Sequence, residues 1–107
     1  MQDDFLFITS KKKLYKVSVT TICFIEAMDD HVKIRLKDSK FLITRMTMKV
    51  MIAQLDPKQF IRVHRSYIVP LKDIQAVGAA KIVVNGMKIS MGKKYAEEVL
   101  KVFTQPE

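Results

Sequence analysis

The sequence contains few of the residues that cross-link small domains. Its 107 residues include a single cysteine, Cys23, so no internal disulfide can form. Cys23 lies in the apolar run TICFIEAM, which favours a buried and unreactive thiol. One cysteine and two histidines are also too few ligands for a zinc site built by the protein. We therefore expect no metal and no cofactor, because a chain of this length can bury a sufficient hydrophobic core.

Motifs of catalysis and of phosphate binding are missing as well. Three glycines are too few for a loop that cradles phosphate, and no P-loop, GxGxxG or GxSxG motif occurs. His64 and Ser66 stand two residues apart, a spacing at which strand side chains point the same way without meeting. The sequence thus predicts no catalytic residue, and we expect a protein that is not an enzyme.

Long hydrophobic runs are also lacking. The longest apolar runs have only a few residues, which is too short to cross a bilayer. The N-terminal MQDDF is acidic and lacks the hydrophobic region of a signal peptide. We expect a cytoplasmic protein with no membrane partner. No low-complexity linker interrupts the chain, so residues 1–107 are predicted to form one domain with its core at about residues 3–103.

Positive charge is what the sequence has in excess. Its formal net charge is +8 and its pI is near 9.7. The excess is even along the chain, since residues 1–53 carry 10 basic and 6 acidic side chains and residues 54–107 carry 9 and 5. A folded domain with a positive surface throughout suits a polyanion such as nucleic acid.

Short antiparallel strands account for most of the hydrophobic pattern. The clearest is HVKIRLK, in which Val32, Ile34 and Leu36 alternate with basic residues. Asn85–Gly86 between two apolar runs predicts a two-residue hairpin turn, because both positions tolerate positive φ. Further predicted strands are Phe5–Ile8, Leu14–Val17, Ile22–Met28, the segments KFLIT, FIRV and IQAVGA, and the residues Tyr67–Val69.

Two helices complete the predicted fold. The first follows the N-cap Thr47 and ends at Asp56–Pro57, and the second covers KKYAEEVLKVF, starting at Ser90 or Gly92. Their apolar stripes are Met48, Met51, Ile52 and Leu55 in the first helix and Ala96, Val99, Leu100 and Phe103 in the second. The predicted fold class is therefore mostly β, with short antiparallel sheets, one short internal helix and a C-terminal helix.

The segment FIRVHRSYIVP does not follow the pattern of a plain core strand. Ile61 and Val63 are alternate residues that point to the apolar face of the predicted strand, and Arg65 would point to the same face. An unpartnered buried charge there would cost several kcal/mol, so we expect the strand to stop and HRS to form an exposed corner. Arg65 would then be held outward, where its guanidinium can bind guanine or phosphate with two hydrogen bonds. The alternative is an internal ion pair with Asp73 or Glu26.

Other cations allow two interpretations each. His31 lies beside an acidic turn, where it either bonds an aspartate or reaches a base or a phosphate. The row Lys33, Arg35 and Lys37 either contacts a polyanion or forms a solvated sheet surface. Lys93–Lys94 begin the last helix, where the helix dipole disfavours cations, and this placement is a mild sign of an external anion.

The segment FIRVHRSYIVPLKDI closely resembles the signature of LytTR-type DNA-binding domains, which contains Phe-x-Arg-x-His-Arg/Lys-Ser followed by apolar residues. VTTICFIEAMDDHVKIRLKD, MTMKVMIAQLDPKQF and KISMGKKY are similar to other segments of that family. The resemblance covers most of the chain. It implies an elongated fold of short antiparallel sheets that binds specific double-stranded DNA sequences as the output domain of LytR/AgrA-like bacterial response regulators.

The resemblance also implies how DNA is contacted. In that family, loops enter successive major grooves, and the sites are often direct repeats. The implied base contacts are His31, Arg65 and Lys93, and the implied phosphate contacts are Ser66, Lys94 and Lys49. A receiver domain is expected in the full-length protein. The isolated domain is expected to be a monomer, and the sequence leaves open whether two copies pair on DNA.

Two residues depart from the family pattern. Pro70 stands where the family usually has asparagine, and proline donates no backbone hydrogen bond. Ser90 replaces the proline that usually precedes the last helix, and this change is expected to loosen the loop at Lys93.

Two alternatives to a DNA-binding function stay open. One is an RNA-binding β-domain, which stacking aromatics on an open sheet face would favour. The other is a protein-interaction module that uses an exposed sheet edge. The phenylalanines lie in apolar runs and are predicted to belong to the core, which counts against RNA. These are Phe5, Phe7, Phe24, Phe41 and Phe60.

Overall fold

The structure, a computed structural model, describes residues 4–106 of the chain. In that range ten strands form three antiparallel sheets, joined by two α-helices and two short 3₁₀-helices. The strands are β1 (Phe5–Ser10), β2 (Lys13–Ser18), β3 (Ile22–Met28), β4 (His31–Leu36), β5 (Phe41–Arg45), β6 (Phe60–His64), β7 (Tyr67–Pro70), β8 (Ile74–Val77), β9 (Lys81–Val84) and β10 (Met87–Ser90). The helices are α1 (Met48–Ala53), α2 (Lys93–Phe103) and the 3₁₀-helices Val19–Thr21 and Leu71–Asp73. The mostly β fold class predicted from the sequence is confirmed.

A five-stranded sheet in the order β5-β4-β3-β7-β6 lies at the centre. The β1–β2 hairpin and α1 pack on one face, and the three-stranded sheet β10-β9-β8 and α2 pack on the other. Neighbouring residues of β3 lie in two different hydrophobic cores. Ile25 packs in the first core, between the central sheet and the β1–β2 hairpin with α1, and Phe24 packs in the second core, between the central sheet and β8–β10 with α2. A strand covered on both faces has a continuous apolar sequence, which explains why CFI does not alternate.

Positive φ angles occur at two tight hairpin turns. Asn85 and Gly86 have φ angles of 50° and 77°, so the predicted two-residue turn between β9 and β10 is confirmed. The turn between β1 and β2 consists of Lys11 and Lys12, with φ angles of 51° and 65°.

The first helix begins where the sequence predicts and ends early. The Thr47 side chain accepts a hydrogen bond from the Val50 backbone N–H at 3.1 Å, which confirms it as the N-cap. The helix ends at Ala53 instead of continuing to the predicted Asp56–Pro57, because the backbone N–H of Gln54 already bonds Met51 at 3.0 Å in a tightened last turn.

The expectation that the five phenylalanines of the predicted strands belong to the core is wrong for three of them. Phe5, Phe7 and Phe41 have exposed fractions of 44%, 57% and 48%, whereas Phe24 and Phe60 are buried. Phe5 and Phe7 lie on the outer face of a hairpin that has only one face covered by the central sheet. An apolar run in a strand therefore does not predict which of its side chains are buried by another layer of the fold.

The predicted apolar stripe of the second helix is only half right. Val99 is fully buried and Ala96 packs against the second core, as expected. Leu100 and Phe103 are exposed, because the helix contacts the sheets along the face that carries Tyr95 and Val99. Gly92 is the N-cap residue of this helix and provides no side-chain hydrogen bond.

Candidate nucleic-acid interface

Several chain segments meet at one end of the central sheet. The turn between β3 and β4 lies there, since Met28 pairs with His31 across it. The last residue of β5 lies beside that turn, because His31 pairs with Arg45. The corner between β6 and β7 follows on the other side, where the carbonyl of Ser66 accepts the backbone N–H of Ala27 at 2.9 Å.

The start of α2 and the start of α1 are attached to the same end of the sheet. The backbone N–H of Gly92 donates to the carbonyl of Val63, near the end of β6, at 2.9 Å. Helix α1 begins three residues after Arg45, so its first turn follows β5 directly. We call this end of the sheet the basic edge, and its members are His31, Arg45, Lys49, Arg65, Ser66, Lys93 and Lys94.

The length of the basic edge follows from the strand order. Neighbouring strands lie about 4.8 Å apart, so the four intervals from β5 to β6 span about 19 Å. The major groove of B-DNA is about 12 Å wide. The row of strand ends is thus longer than the width of one major groove. The six residues that the sequence assigned to DNA lie in segments that begin or end at this end of the sheet.

The corner between β6 and β7 is fixed by three hydrogen bonds. The guanidinium of Arg62 donates to the carbonyls of His64 and Arg65. The backbone N–H of Ser66 donates to Nδ1 of His64 at 3.1 Å. A register shift between Arg62 and His64 marks the bulge at which the regular ladder ends. The strand extends one residue beyond the predicted FIRV, to His64, and a corner follows in which Arg65 is exposed and His64 and Ser66 are half-buried.

The alternative interpretation of Arg65, an internal ion pair, is wrong in this structure. Glu26 pairs with Arg35, whose Nε lies 2.7 Å from Oε1 of the carboxylate. Asp73 pairs with Lys37 at 3.1 Å. Both carboxylates considered for Arg65 are therefore occupied, and none of the ion pairs among residues 4–106 involves the Arg65 guanidinium.

His31 is bound to the acidic turn that precedes it. Its Nδ1 lies 2.7 Å from Oδ1 of Asp30, and 40% of its side chain remains exposed. The other carboxylate oxygen of Asp30 lies 3.5 Å from the guanidinium of Arg45. The hydrogen bond from His31 lowers the pKa of the Asp30 carboxyl below its usual value, which keeps the carboxylate ionised.

Lys93 and Lys94 are exposed in the first turn of α2. No acidic residue lies in that turn, so the helix N-terminus has two cations and no compensating side chain. The ammonium of Lys94 lies 5.2 Å from the centre of the Tyr95 ring. The hydrogen bond from Gly92 to β6 holds the preceding loop against the sheet, so the loop is anchored although Ser90 replaces the family proline.

The two remaining predicted phosphate contacts lie at either side of the corner. Ser66 is half-buried, and its backbone is bonded on both sides, to His64 and to Ala27. Lys49 is exposed in the first turn of α1, directly after the capped start of the helix. Both residues therefore lie on the basic edge with fixed backbones.

The basic row on β4 is largely neutralised inside the protein. Arg35 and Lys37 pair with carboxylates, as described above, and the ammonium of Lys33 lies 4.1 Å from the centre of the Phe41 ring. The sequence allowed contact with a polyanion or a solvated surface for this row, and the structure instead shows that its cations contact groups within the protein. Exposed cations remain at the basic edge and also elsewhere, for example at Lys11, Lys12 and Lys88.

Three residues of this surface were missed by sequence reasoning. Arg45 was outside the predicted strand KFLIT, although its side chain is 79% exposed and lies next to His31. Arg62 and His64 belong to the quoted signature, but their hydrogen bonds to the corner could not be derived from spacing. The only available signal was the concentration of polar residues around Arg65.

Other chemistry finds little support in the described part of the chain. Among residues 4–106 there is no group of three or more side chains suited to hold a metal ion. No helix there is long and apolar enough to cross a membrane. Cys23 is partly buried, and this burial raises the pKa of its thiol above the usual value, so the thiol stays protonated.

A comparison with protein families agrees with this geometry. The family model described as the LytTr DNA-binding domain matches residues 12–104, which is most of the chain. The chain belongs to the LytTR family. LytTR domains bind DNA and are typical output domains of response regulators, and the family is not one of enzymes.

Solved structures contain the same fold as this LytTR domain. One is described as the LytTr DNA-binding domain of a response regulator from Bacillus cereus. It aligns with a TM-score of 0.77 and 18% identity, over 98% of this chain and 100% of that chain. At this identity the likeness concerns the fold. A search of the curated proteins finds no match.

Proposed function

We propose that this LytTR domain binds specific sequences in double-stranded DNA as the output domain of a bacterial transcription regulator. The observation that carries the proposal is Arg65, held outward on a hydrogen-bonded corner at an edge rich in exposed cations. His31, Arg65 and Lys93 are assigned to bases, and Ser66, Lys94 and Lys49 to phosphates. This role places the domain in the bacterial cytoplasm, under the control of a receiver domain.

Arg65 is the best suited of these residues to determine sequence. Its planar guanidinium matches the O6 and N7 acceptors of guanine in the major groove with two parallel hydrogen bonds. Because Arg62 and His64 fix the backbone around it, little conformational freedom beyond the side chain itself is lost on binding. A good bidentate contact of this kind discriminates against a wrong base by about 1–3 kcal/mol.

The lysines are assigned to phosphate contacts, which raise the affinity for DNA without selecting its sequence. Each phosphate that a lysine neutralises releases condensed counterions, so the logarithm of the binding constant falls with the logarithm of salt concentration. Lys49 and Lys94 flank the corner and lie at helix starts, where side chains and backbone N–H groups together suit phosphate oxygens. Their contacts orient the domain on the duplex without selecting a base.

The arrangement on DNA is proposed from the resemblance alone. The loops of one domain contact successive major grooves, and two copies occupy direct repeats. We propose that residues 1–107 act as one domain that is a monomer when free. Whether neighbouring copies touch each other on a repeated site is decided by measuring the stoichiometry and cooperativity of binding to one and two half-sites.

Single-stranded RNA is the second candidate ligand, and the exposed phenylalanines are the observation in its favour. Phe7 is 57% exposed on an open hairpin face, which removes the sequence argument against base stacking. The neighbouring rings are less available, since Lys16 lies 4.2 Å from the centre of the Phe5 ring and Lys33 covers Phe41. The anchored Arg65 at the basic edge therefore makes duplex DNA the better supported ligand.

A titration with three nucleic acids tests the proposal. Gel-shift binding is measured with a duplex recovered by random-site selection, with a scrambled duplex of equal length, and with single-stranded RNA, each over a series of salt concentrations. We expect tightest binding to the selected duplex. Equal affinity for both duplexes, or preference for RNA that Phe7→Ala abolishes, would contradict it.

A lysine variant tests the phosphate contacts within the same titration. We expect Lys94→Ala to weaken binding to both duplexes alike and to reduce the salt slope by about 0.9. Lys72→Ala is the matched control, because Lys72 is an exposed lysine that follows β7 at the opposite end of the central sheet. If Lys72→Ala changed the slope as much as Lys94→Ala, the basic edge would not be the DNA-binding surface.

A further inference from the structure

Asp30 is one of two exposed acidic residues, with Asp29, in the β3–β4 turn at the basic edge. Its carboxylate is 61% exposed and accepts the hydrogen bond from Nδ1 of His31 at 2.7 Å. The second carboxylate oxygen lies 3.5 Å from the guanidinium of Arg45. One side chain thus connects the β3–β4 turn with the first residue of β4 and the last residue of β5. Both carboxylates would repel DNA phosphate, but only Asp30 contacts neighbouring cationic side chains.

The contact between Asp30 and His31 determines which ring nitrogen is available. An ionised carboxylate can only accept hydrogen bonds, so Nδ1 of His31 must carry the proton at the 2.7 Å contact. Nε2 is then the nitrogen left for a ligand. It accepts a hydrogen bond when the ring is neutral, as from an adenine or cytosine amino group, and donates one when the ring is protonated.

We propose that Asp30 is a positioning residue for sequence recognition, which orients His31 with Nε2 toward a base edge and keeps Arg45 beside it. The inference rests on the proposed function and adds to it a residue that contacts no DNA itself. The same logic applies to metal-binding and catalytic histidines, where a hydrogen bond at one ring nitrogen fixes the tautomer at the other.

Asp29 provides a matched control for Asp30. It lies in the same turn, is exposed, and takes part in none of the ion pairs found among residues 4–106. Its φ angle of 53° is one that asparagine tolerates better than most residues. Asp29→Asn and Asp30→Asn therefore remove the same charge from the same turn, and only the second weakens the contact with His31.

The first measurement is made on the free protein and does not depend on DNA. Nitrogen-15 NMR of the imidazole rings reports which nitrogen carries the proton in neutral His31. We expect the Nδ1–H tautomer in the unmodified chain and in Asp29→Asn, a smaller population of it in Asp30→Asn, and the smallest in Asp30→Ala. An unchanged tautomer in both Asp30 variants would overturn the proposal.

The second measurement compares a selected duplex with a scrambled duplex of equal length. Asp29→Asn is expected to raise affinity for both by a similar factor, because it removes a charge that repels phosphate. Asp30→Asn is expected to lower the ratio of the two affinities by about tenfold, the lower range for one base contact. An unchanged ratio in Asp30→Asn would contradict the inference alone, whereas failure of the unmodified chain to select any duplex would contradict the proposed function.

Discussion

Pro70 replaces an asparagine of the family pattern, and the structure indicates how the chain accommodates it. The backbone N–H of the next residue, Leu71, donates to the carbonyl of Gln59 on the β6 side at 2.9 Å. Because neighbouring residues of a strand point their backbone groups to opposite sides, the nitrogen of Pro70 faces β3. As a proline it has no hydrogen to donate there. Some other group has to satisfy the carbonyl on β3.

That group is the side chain of a distant hairpin turn. Ile68 pairs with Ile25, and extending this register by two residues would set residue 70 opposite Cys23, where β3 shifts register against β4 between Ile22 and Phe24. The carbonyl of Cys23 accepts its hydrogen bond from Nδ2 of Asn85 at 3.0 Å. Asn85 thus has two roles, since its backbone forms the turn between β9 and β10 and its amide replaces the donor missing at Pro70.

We predict that Asn85→Gly destabilises the protein although glycine suits the turn. Glycine adopts the φ angle of 50° at no steric cost, so the turn itself is preserved. The loss comes from the partly buried carbonyl of Cys23, which is left without its donor at a cost of about 1–3 kcal/mol. In a Pro70→Val background the valine N–H can donate instead, and the same Asn85→Gly change should cost about 1 kcal/mol less.

Urea unfolding of the four proteins of this double-mutant cycle, followed by circular dichroism, measures the coupling. The cycle also removes the contribution of the 3.3 Å contact between Asn85 and Asp73, because that contact is lost in both backgrounds. Additive effects of the two substitutions, within about 0.3 kcal/mol, would refute the reasoning. Such additivity would mean that Asn85 and Pro70 do not serve the same carbonyl.

Two further predictions concern DNA binding. Arg62→Met keeps the apolar part of the side chain but removes the donors to the carbonyls of His64 and Arg65. We expect the binding free energy for a selected duplex to weaken by about 1 kcal/mol more than the binding free energy for a scrambled duplex. Fluorescence anisotropy with the two duplexes checks this, and equal losses would contradict it. The basic edge spans about 19 Å and successive major grooves lie about 34 Å apart, so contact with both requires the duplex to bend toward the protein. Circularly permuted duplexes should therefore differ in gel mobility when bound, and identical mobilities together with protection of two major grooves would show that bending is not needed.

Features fixed by short stretches of sequence were predictable. The strand Ile22–Met28, the N-cap Thr47, the turn Asn85–Gly86 and the extent of α2 from Lys93 to Phe103 all agree with the structure. Each depends on side-chain periodicity or on the φ preference of one or two residues. The exposure of Arg65 at the corner was predictable for the same reason, because a charged residue fell on the apolar face of the predicted strand.

Features that depend on distant parts of the chain were not predictable from local pattern. Whether Phe7 is covered depends on which sheet packs on which face of the hairpin, and apolar spacing alone does not contain that information. Arg45 joins His31 and Asp30 only through the register of β4 against β5. The amide of Asn85 reaches Cys23 across 62 residues of sequence. In each case the missing information is strand order and register.

The central claim is that Arg65 reads a base, and one comparison tests it most directly. Binding of the unmodified chain and of Arg65→Ala is measured against a selected duplex and a scrambled duplex at one salt concentration. The account predicts a loss of about 1–3 kcal/mol on the selected duplex, little change on the scrambled one, and relaxed preference at a single position in a repeated selection. Equal losses on both duplexes would contradict it, because Arg65 would then contribute only charge.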